Sequence, residues 1–199
     1  IATVPRIGYR FLRAAPAQPV AGGPARPSMA VLPFESLSAD PEHGYFADGV
    51  VEDLITALSR FRGFAVASRN ASYAVPRGDP VKTAEALGVR YLVEGSGRRR
   101  GEALRVAVRL IDSPANRTLW SEQFDGALSG LFDFQDRVIG EIVGRAEPEV
   151  RRAEIERARR KRPENLDAYE LYLRALPLFR LVTAEARNEA IRLLEAAVG

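Results

Sequence analysis

Residues 104–111, LRVAVRLI, constrain the fold more than any other stretch of the chain. Leu104, Val106, Val108 and Leu110 fall on one side of an extended chain, and Arg105, Ala107 and Arg109 on the other. A period of two means a strand with one buried and one polar face. Turn-forming residues flank it, Arg98 to Glu102 before and Ser113 to Asn116 after. Beyond those turns, RYLVEGS and RTLWSEQF have strand composition, so a three-stranded meander is expected. Its apolar face has to be covered, and the flanking periodicities say by what.

Upstream, MAVLPF reads as a short strand buried on both faces. Asp40-Pro41 then supplies an N-cap and a proline at the first helical position. Phe46, Val50, Leu54, Leu58 and Phe61 make one helical face, closed by Gly63. FAVAS (64–68) is a further strand. Asp79-Pro80 repeats the capping device for a short helix ended by Gly88. After the meander, Leu131, Phe134, Val138 and Ile142 mark a long helix, interrupted near Pro148. The order β-α-β-α-β-β-β-α implies an α/β fold, a mixed sheet with helices packed on it.

The ends differ from this centre. IATVPRIGYRFL has hairpin composition, and residues 14–27 (AAPAQPVAGGPARP) read as a linker. Residues 149–164 form a charge-dense connecting helix, solvated and leading to a hinge at Pro163. Asn165 caps a following helix that Pro177 ends or kinks, and Ala184 opens another, with Ala190, Leu194 and Ala197 on one face. The expected divisions are therefore 1–13, 14–27, 28–148, 149–164 and 165–199. Ile1 in place of Met points to a piece of a longer chain.

Composition narrows function. With 46% hydrophobic residues the 199-residue chain can bury a core. The absence of cysteine removes thiol catalysis and Cys-ligated metals, and a lone histidine, His43, leaves little for a catalytic triad. A non-enzymatic, cytoplasmic chain with no cofactor, no metal and no membrane partner is expected. Residues 1–27 hold four arginines and no acid, residues 28–150 are net −4, and residues 151–199 net +3. Nucleic-acid contacts are thus expected at the ends, since an acidic centre repels phosphate.

Three groups of residues are candidate sites. Asp48, Glu52 and Asp53 could form a polar-ligand site, although acids near a helix N-terminus are commonplace there. Gly95-Ser96-Gly97-Arg98-Arg99-Arg100-Gly101 lacks the following helix of a dinucleotide fingerprint and reads as a basic β-turn. Tyr169, Tyr172, Leu173, Leu194 and Ala197 present a face to a partner helix. RARRKR (157–162) reads as the solvated end of a charged helix, and Tyr91 and Trp120 as packing residues.

Several segments carry a family resemblance. Ser28–Phe34 with ESLSADPE (35–42), YFADG (45–49), EDLITALSR (52–60), LGVRY (87–91), VEGS (93–96), LID (110–112) and LWSE (119–122) resembles the TolB-like amino-terminal domain family over about residues 28–150. TVPRIGYRF (3–11) is similar to the wing of an OmpR/PhoB- or CadC-type winged-helix DNA-binding domain, which makes Arg6, Tyr9 and Arg10 candidate DNA contacts. The last helices resemble a tetratricopeptide repeat, an α-helical hairpin following the α/β domain. These resemblances imply a regulatory region of a bacterial transcriptional regulator, relaying a ligand or partner signal. DNA would be bound through a winged-helix domain outside this chain, a protein partner through the helical repeats, and a second copy is a candidate homodimer partner. The alternative is the regulatory TolB-like module of an adenylate cyclase or an envelope-associated protein.

Overall fold

The computed structural model describes residues 2–4, 8–10, 26–37, 42–76, 78–161, 166–181 and 183–198. Two short strands, β1 (Ala2–Val4) and β2 (Gly8–Arg10), pair antiparallel, as the hairpin composition predicts. The principal sheet is mixed. Strand β3 (Ser28–Val31) is followed by β4 (Glu35–Ser36), α1 (Glu42–Ser59), β5 (Ala65–Val66), α2 (Arg69–Ala74) and α3 (Pro80–Leu87). The meander β6 (Tyr91–Arg100), β7 (Ala103–Asp112) and β8 (Arg117–Ala127) then leads into α4 (Leu131–Arg160), α5 (Ala168–Ala175) and α6 (Ala184–Val198). Strand order is β5-β3-β6-β7-β8, parallel across β5, β3 and β6 and antiparallel through the meander, with β4 beside β6.

Alternation in β7 sorts the two faces as expected. Leu104, Val106, Val108 and Leu110 join Tyr91, Val93 and Phe124 under α1 and α4, whose Val50, Leu54, Leu58, Phe134, Val138 and Ile142 complete the larger core. Among the described residues the opposite face is covered at one end, where Ala84 and Leu87 of α3, with Ala71 of α2 beside them, pack on Ala30, Leu32, Leu92 and Ile111. Asp79 caps α3 by accepting from the Val81 N–H (2.9 Å), and Gly88 ends it at φ +65°, a conformation that favours glycine. Past α3, the polar residues of the meander face solvent.

Several expectations need correction. Helix α1 ends at Ser59, short of Gly63, and Phe61 instead stacks on Phe64 with centroids 5.8 Å apart. The sequence reading omits α2, a six-residue helix capped by Ser68, and the short β4. The strand β6 extends to Arg100, so the turn is confined to Gly101 and Glu102. Helix α4 is not interrupted at Pro148 but continues to Arg160. Proline there removes one hydrogen bond, to Gly144, yet both residues are exposed and the freed carbonyl can reach water. Ile142, Ala146, Val150 and Ala153 lie buried on either side of the proline, and their packing keeps the helix continuous through it. Asp40, Pro41, Pro163 and Asn165 lie outside the described residues, and α5 is capped instead by Asp167, in a capping box with Glu170.

Two glycines are required by packing. A Cβ on Gly95 would stand 2.6 Å from the Phe34 ring, and one on Gly126 would overlap the buried Phe134 ring. Gly126→Ala is expected to destabilise the fold by about 1–3 kcal/mol, the usual cost of overpacking. Urea unfolding should show it, and adding Phe134→Leu should restore part of the loss. A neutral Gly126→Ala would mean that the ring is not held against the strand.

Candidate functional site

The polar residues of interest converge where the sheet meets the long helix. Arg90 immediately precedes β6, and Asp112 ends β7 directly opposite Tyr91. The Arg90 Nη2 lies 2.9 Å from Asp112 Oδ1, and its Nε 3.5 Å from Glu154 Oε1 on α4. The Tyr91 hydroxyl donates to the same Glu154 oxygen at 2.6 Å. Arg157, one turn further along α4, bonds Glu154 Oε2 at 2.5 Å and reaches Glu170 Oε1 of α5 at 2.8 Å. Lys161 closes on Glu170 at 2.5 Å. Arg174 of α5 donates back to the Ala158 carbonyl at 2.8 Å and to the Lys161 carbonyl, satisfying the open end of α4.

This is a continuous chain of opposite charges, Asp112–Arg90–Glu154–Arg157–Glu170–Lys161, running from the sheet to the C-terminal helices. Glu154 and Glu170 are both 1% exposed. A buried carboxylate is tolerable only when cations and donors replace its water, and each here has at least two. Burial pushes the Glu170 carboxyl up, but Lys161, the Asp167 N–H and Arg157 outweigh it and the net shift is downward. Burial and the adjacent Glu154 charge push the Tyr91 hydroxyl far above its ordinary value. Tyr169, half-buried beside the same carboxylate, is pushed up to about 12.

A second feature is an open groove of about 720 Å³ on the uncovered sheet face. Leu32, Gly78, Glu94, Ser96, Arg109 and Gln123 are among the residues that line it. Arg109 pairs with Glu94 at 2.5 Å across the strands.

The HilA/YgeH-like transcriptional regulator second-domain family matches residues 25–140. The chain belongs to that family. "Putative adenylate cyclase 3" of Rhizobium meliloti (strain 1021) is 40% identical over 185 residues, 90% of this chain and 32% of that relative. The chain thus spans about a third of the relative's length. Among solved structures, TolB from Acinetobacter baumannii is similar at TM-score 0.44 and 19% identity, over 61% of this chain and 29% of that one. Lipoprotein GNA1162 from Neisseria meningitidis is similar at TM-score 0.44 and 17% identity, over 59% of this chain and 96% of that one.

In this family member the expected site residues are dispersed. Arg6 lies outside the described residues, while Tyr9 and Arg10 fall in β2 opposite Thr3 and Ala2. Asp48 accepts from Tyr73 (2.6 Å), Glu52 pairs loosely with Arg69 (3.9 Å), and Asp53 accepts from Gln135 of α4 (2.5 Å). Asp48 and Glu52 therefore tie α1 to α2, and Asp53 ties it to α4, each through its own partner, and the three do not converge on one ligand position. On the partner-helix face, Leu173 is fully buried within the helical pair and is not available to a partner. Tyr172 is exposed beside Tyr169, and Leu194 and Ala197 are half-buried. Ile191 and Val198 of α6, with Phe179 and Leu181 in the connection from α5 to α6, add exposed apolar area.

The expectation of a solvated helix over 149–164 is also corrected. Val150, Ala153, Glu154 and Ala158 are buried along one side of α4. The sequence reading missed Arg90, Glu154 and Glu170, because charged residues were assigned to water by default. The available signal was the three-then-five spacing of Val150, Ala153 and Ala158, a small-residue stripe passing beside Glu154.

Proposed function

We propose that this chain is the non-enzymatic regulatory region of a longer cytoplasmic winged-helix regulator of OmpR/PhoB or CadC type. In this reading the α/β domain relays a ligand or partner signal between tetratricopeptide-type helices and a DNA-binding unit. The observation that carries it is the charge chain from Asp112 to Glu170, which couples the sheet to α5 through side chains rather than a loose linker. Membership of a transcriptional regulator family supports the same reading. The exposed apolar residues of α5 and α6 fit a protein partner or a second copy of the chain. Among the described residues, no helix is long and apolar enough to cross a membrane.

A second reading makes the chain the regulatory module of an adenylate cyclase. Its support is the name of the relative that is 40% identical over 185 residues. Assaying the longer protein for site-specific DNA binding and for cyclic AMP synthesis separates the two. Specific binding without cyclase activity is the expected result. Cyclic AMP synthesis without sequence-specific DNA binding would replace the first reading with the second.

A further inference from the structure

Helix α4 is weakest where its packing changes character. Gly140, Gly144 and Pro148 follow one another at four-residue intervals along one stripe, and all three are exposed. Glycine inside a helix is less favourable than alanine, a cost that close packing can justify. Here packing does not demand it, since a Cβ on Gly140 or Gly144 would meet no neighbouring atom within 4 Å among the described residues. Pro148 has no N–H for the Gly144 carbonyl, so these two residues weaken the same turn. The stripe also marks a boundary. Toward the start of α4, Phe134, Val138 and Ile142 seat the helix in the larger core. Beyond Pro148 the fully buried apolar side chains are Val150, Ala153 and Ala158, and the ties to the sheet are polar. Tyr91 donates to Glu154, Arg90 flanks the same carboxylate, and Arg117 at the start of β8 faces Glu156 at 3.6 Å. Helix α5 is fastened to this far segment, with Arg157 and Lys161 on Glu170 and Arg174 on the Ala158 carbonyl.

We propose that residues 140–148 are a hinge, about which the far part of α4 swings together with α5 and α6 when Glu154 and Glu156 leave the sheet. Sharp bends in helices centre on proline and glycine, and both stand here on one face. Ile142 and Ala146, buried on the opposite side, keep the closed form continuous. Opening hydrates Glu154, Arg90 and Tyr91 together, so no charge is left buried alone, unlike the removal of one partner. The apolar area it exposes belongs mainly to small side chains, Val150 and Ala153. The hinge rests on the reading of the α/β domain as a relay and gives that relay its moving part. Its test reads motion alone, so it succeeds or fails apart from the DNA-binding and cyclase assays.

Hydrogen exchange of the full chain should show a weakly protected band over residues 144–152, between better protected amides at 134–142 and 153–158. Fraying from the end of α4 would instead fall away in one direction. G140A/G144A should slow exchange in the band about twentyfold, because each Gly→Ala favours the helical form by about four- to fivefold. The swing is read by nitroxides on S121C and R192C, exposed sites on β8 and α6 of a chain without cysteine. Their distance distribution should narrow in G140A/G144A/P148A, a variant that strengthens the helix and so keeps the fold. The proposal is overturned by uniform or one-directional protection along α4, by a band that G140A/G144A does not slow, or by a distance distribution that the triple variant leaves unchanged.

Discussion

Glu154→Ala is expected to lower the unfolding free energy by about 3–5 kcal/mol, the usual cost of breaking a buried charge pair from one side. The carboxylate is 1% exposed and is the centre of the network, bonded to Tyr91 and Arg157 and flanked by Arg90. Its removal leaves two part-buried guanidinium groups with one carboxylate each, Asp112 for Arg90 and Glu170 for Arg157, and takes the acceptor from a buried hydroxyl. Glu154→Gln preserves volume and an acceptor for Tyr91, but withdraws the negative charge that both cations share, so it should lose a large part of the same stability. Glu189→Ala is the control. It removes an exposed pair with Arg192 on α6, and such pairs are worth less than about 1 kcal/mol. Chemical denaturation should show a reduced midpoint for the Glu154 variants with the slope unchanged. A loss under about 1 kcal/mol would mean that water reaches the network in solution and that it does not couple the sheet to the helices.

Apolar periodicity made the α/β architecture legible, and it did so because burial leaves a regular imprint. The alternation at 104–111 assigned both faces of β7, and Asp79-Pro80 with Gly88 bracketed α3. Propensity misled at Pro148, where packing of Ile142, Ala146 and Val150 outweighs the lost hydrogen bond. The network was illegible for a different reason. A carboxylate on a helix reads as solvated unless its partners are known, and those of Glu154 come from 63 and 64 residues away, at Tyr91 and Arg90.

Tyr91 makes the network sensitive to alkali. Burial, then the neighbouring Glu154 charge and hydrogen bond, hold its proton well above the ordinary tyrosine value of about 10, with Arg90 opposing. The unfolded chain releases that proton near pH 10, whereas the folded chain keeps it. Stability from this group is therefore complete below pH 10 and falls by about 1.4 kcal/mol per pH unit above it, until the folded group ionises. At pH 12 the loss from Tyr91 alone is about 2.7 kcal/mol. Tyr73 and Tyr169, each pushed up to about 12, act in the same direction, less strongly because they are partly exposed. Tyr91→Phe removes one hydrogen bond to a charged group and should be less stable by roughly 1.5–3 kcal/mol at pH 8. It lacks the alkaline term, so the two stability curves should converge near pH 12 in denaturant titrations. Parallel curves from pH 8 to 12 would show that the Tyr91 hydroxyl is not held against Glu154, and the link from the sheet to that carboxylate would then rest on Arg90.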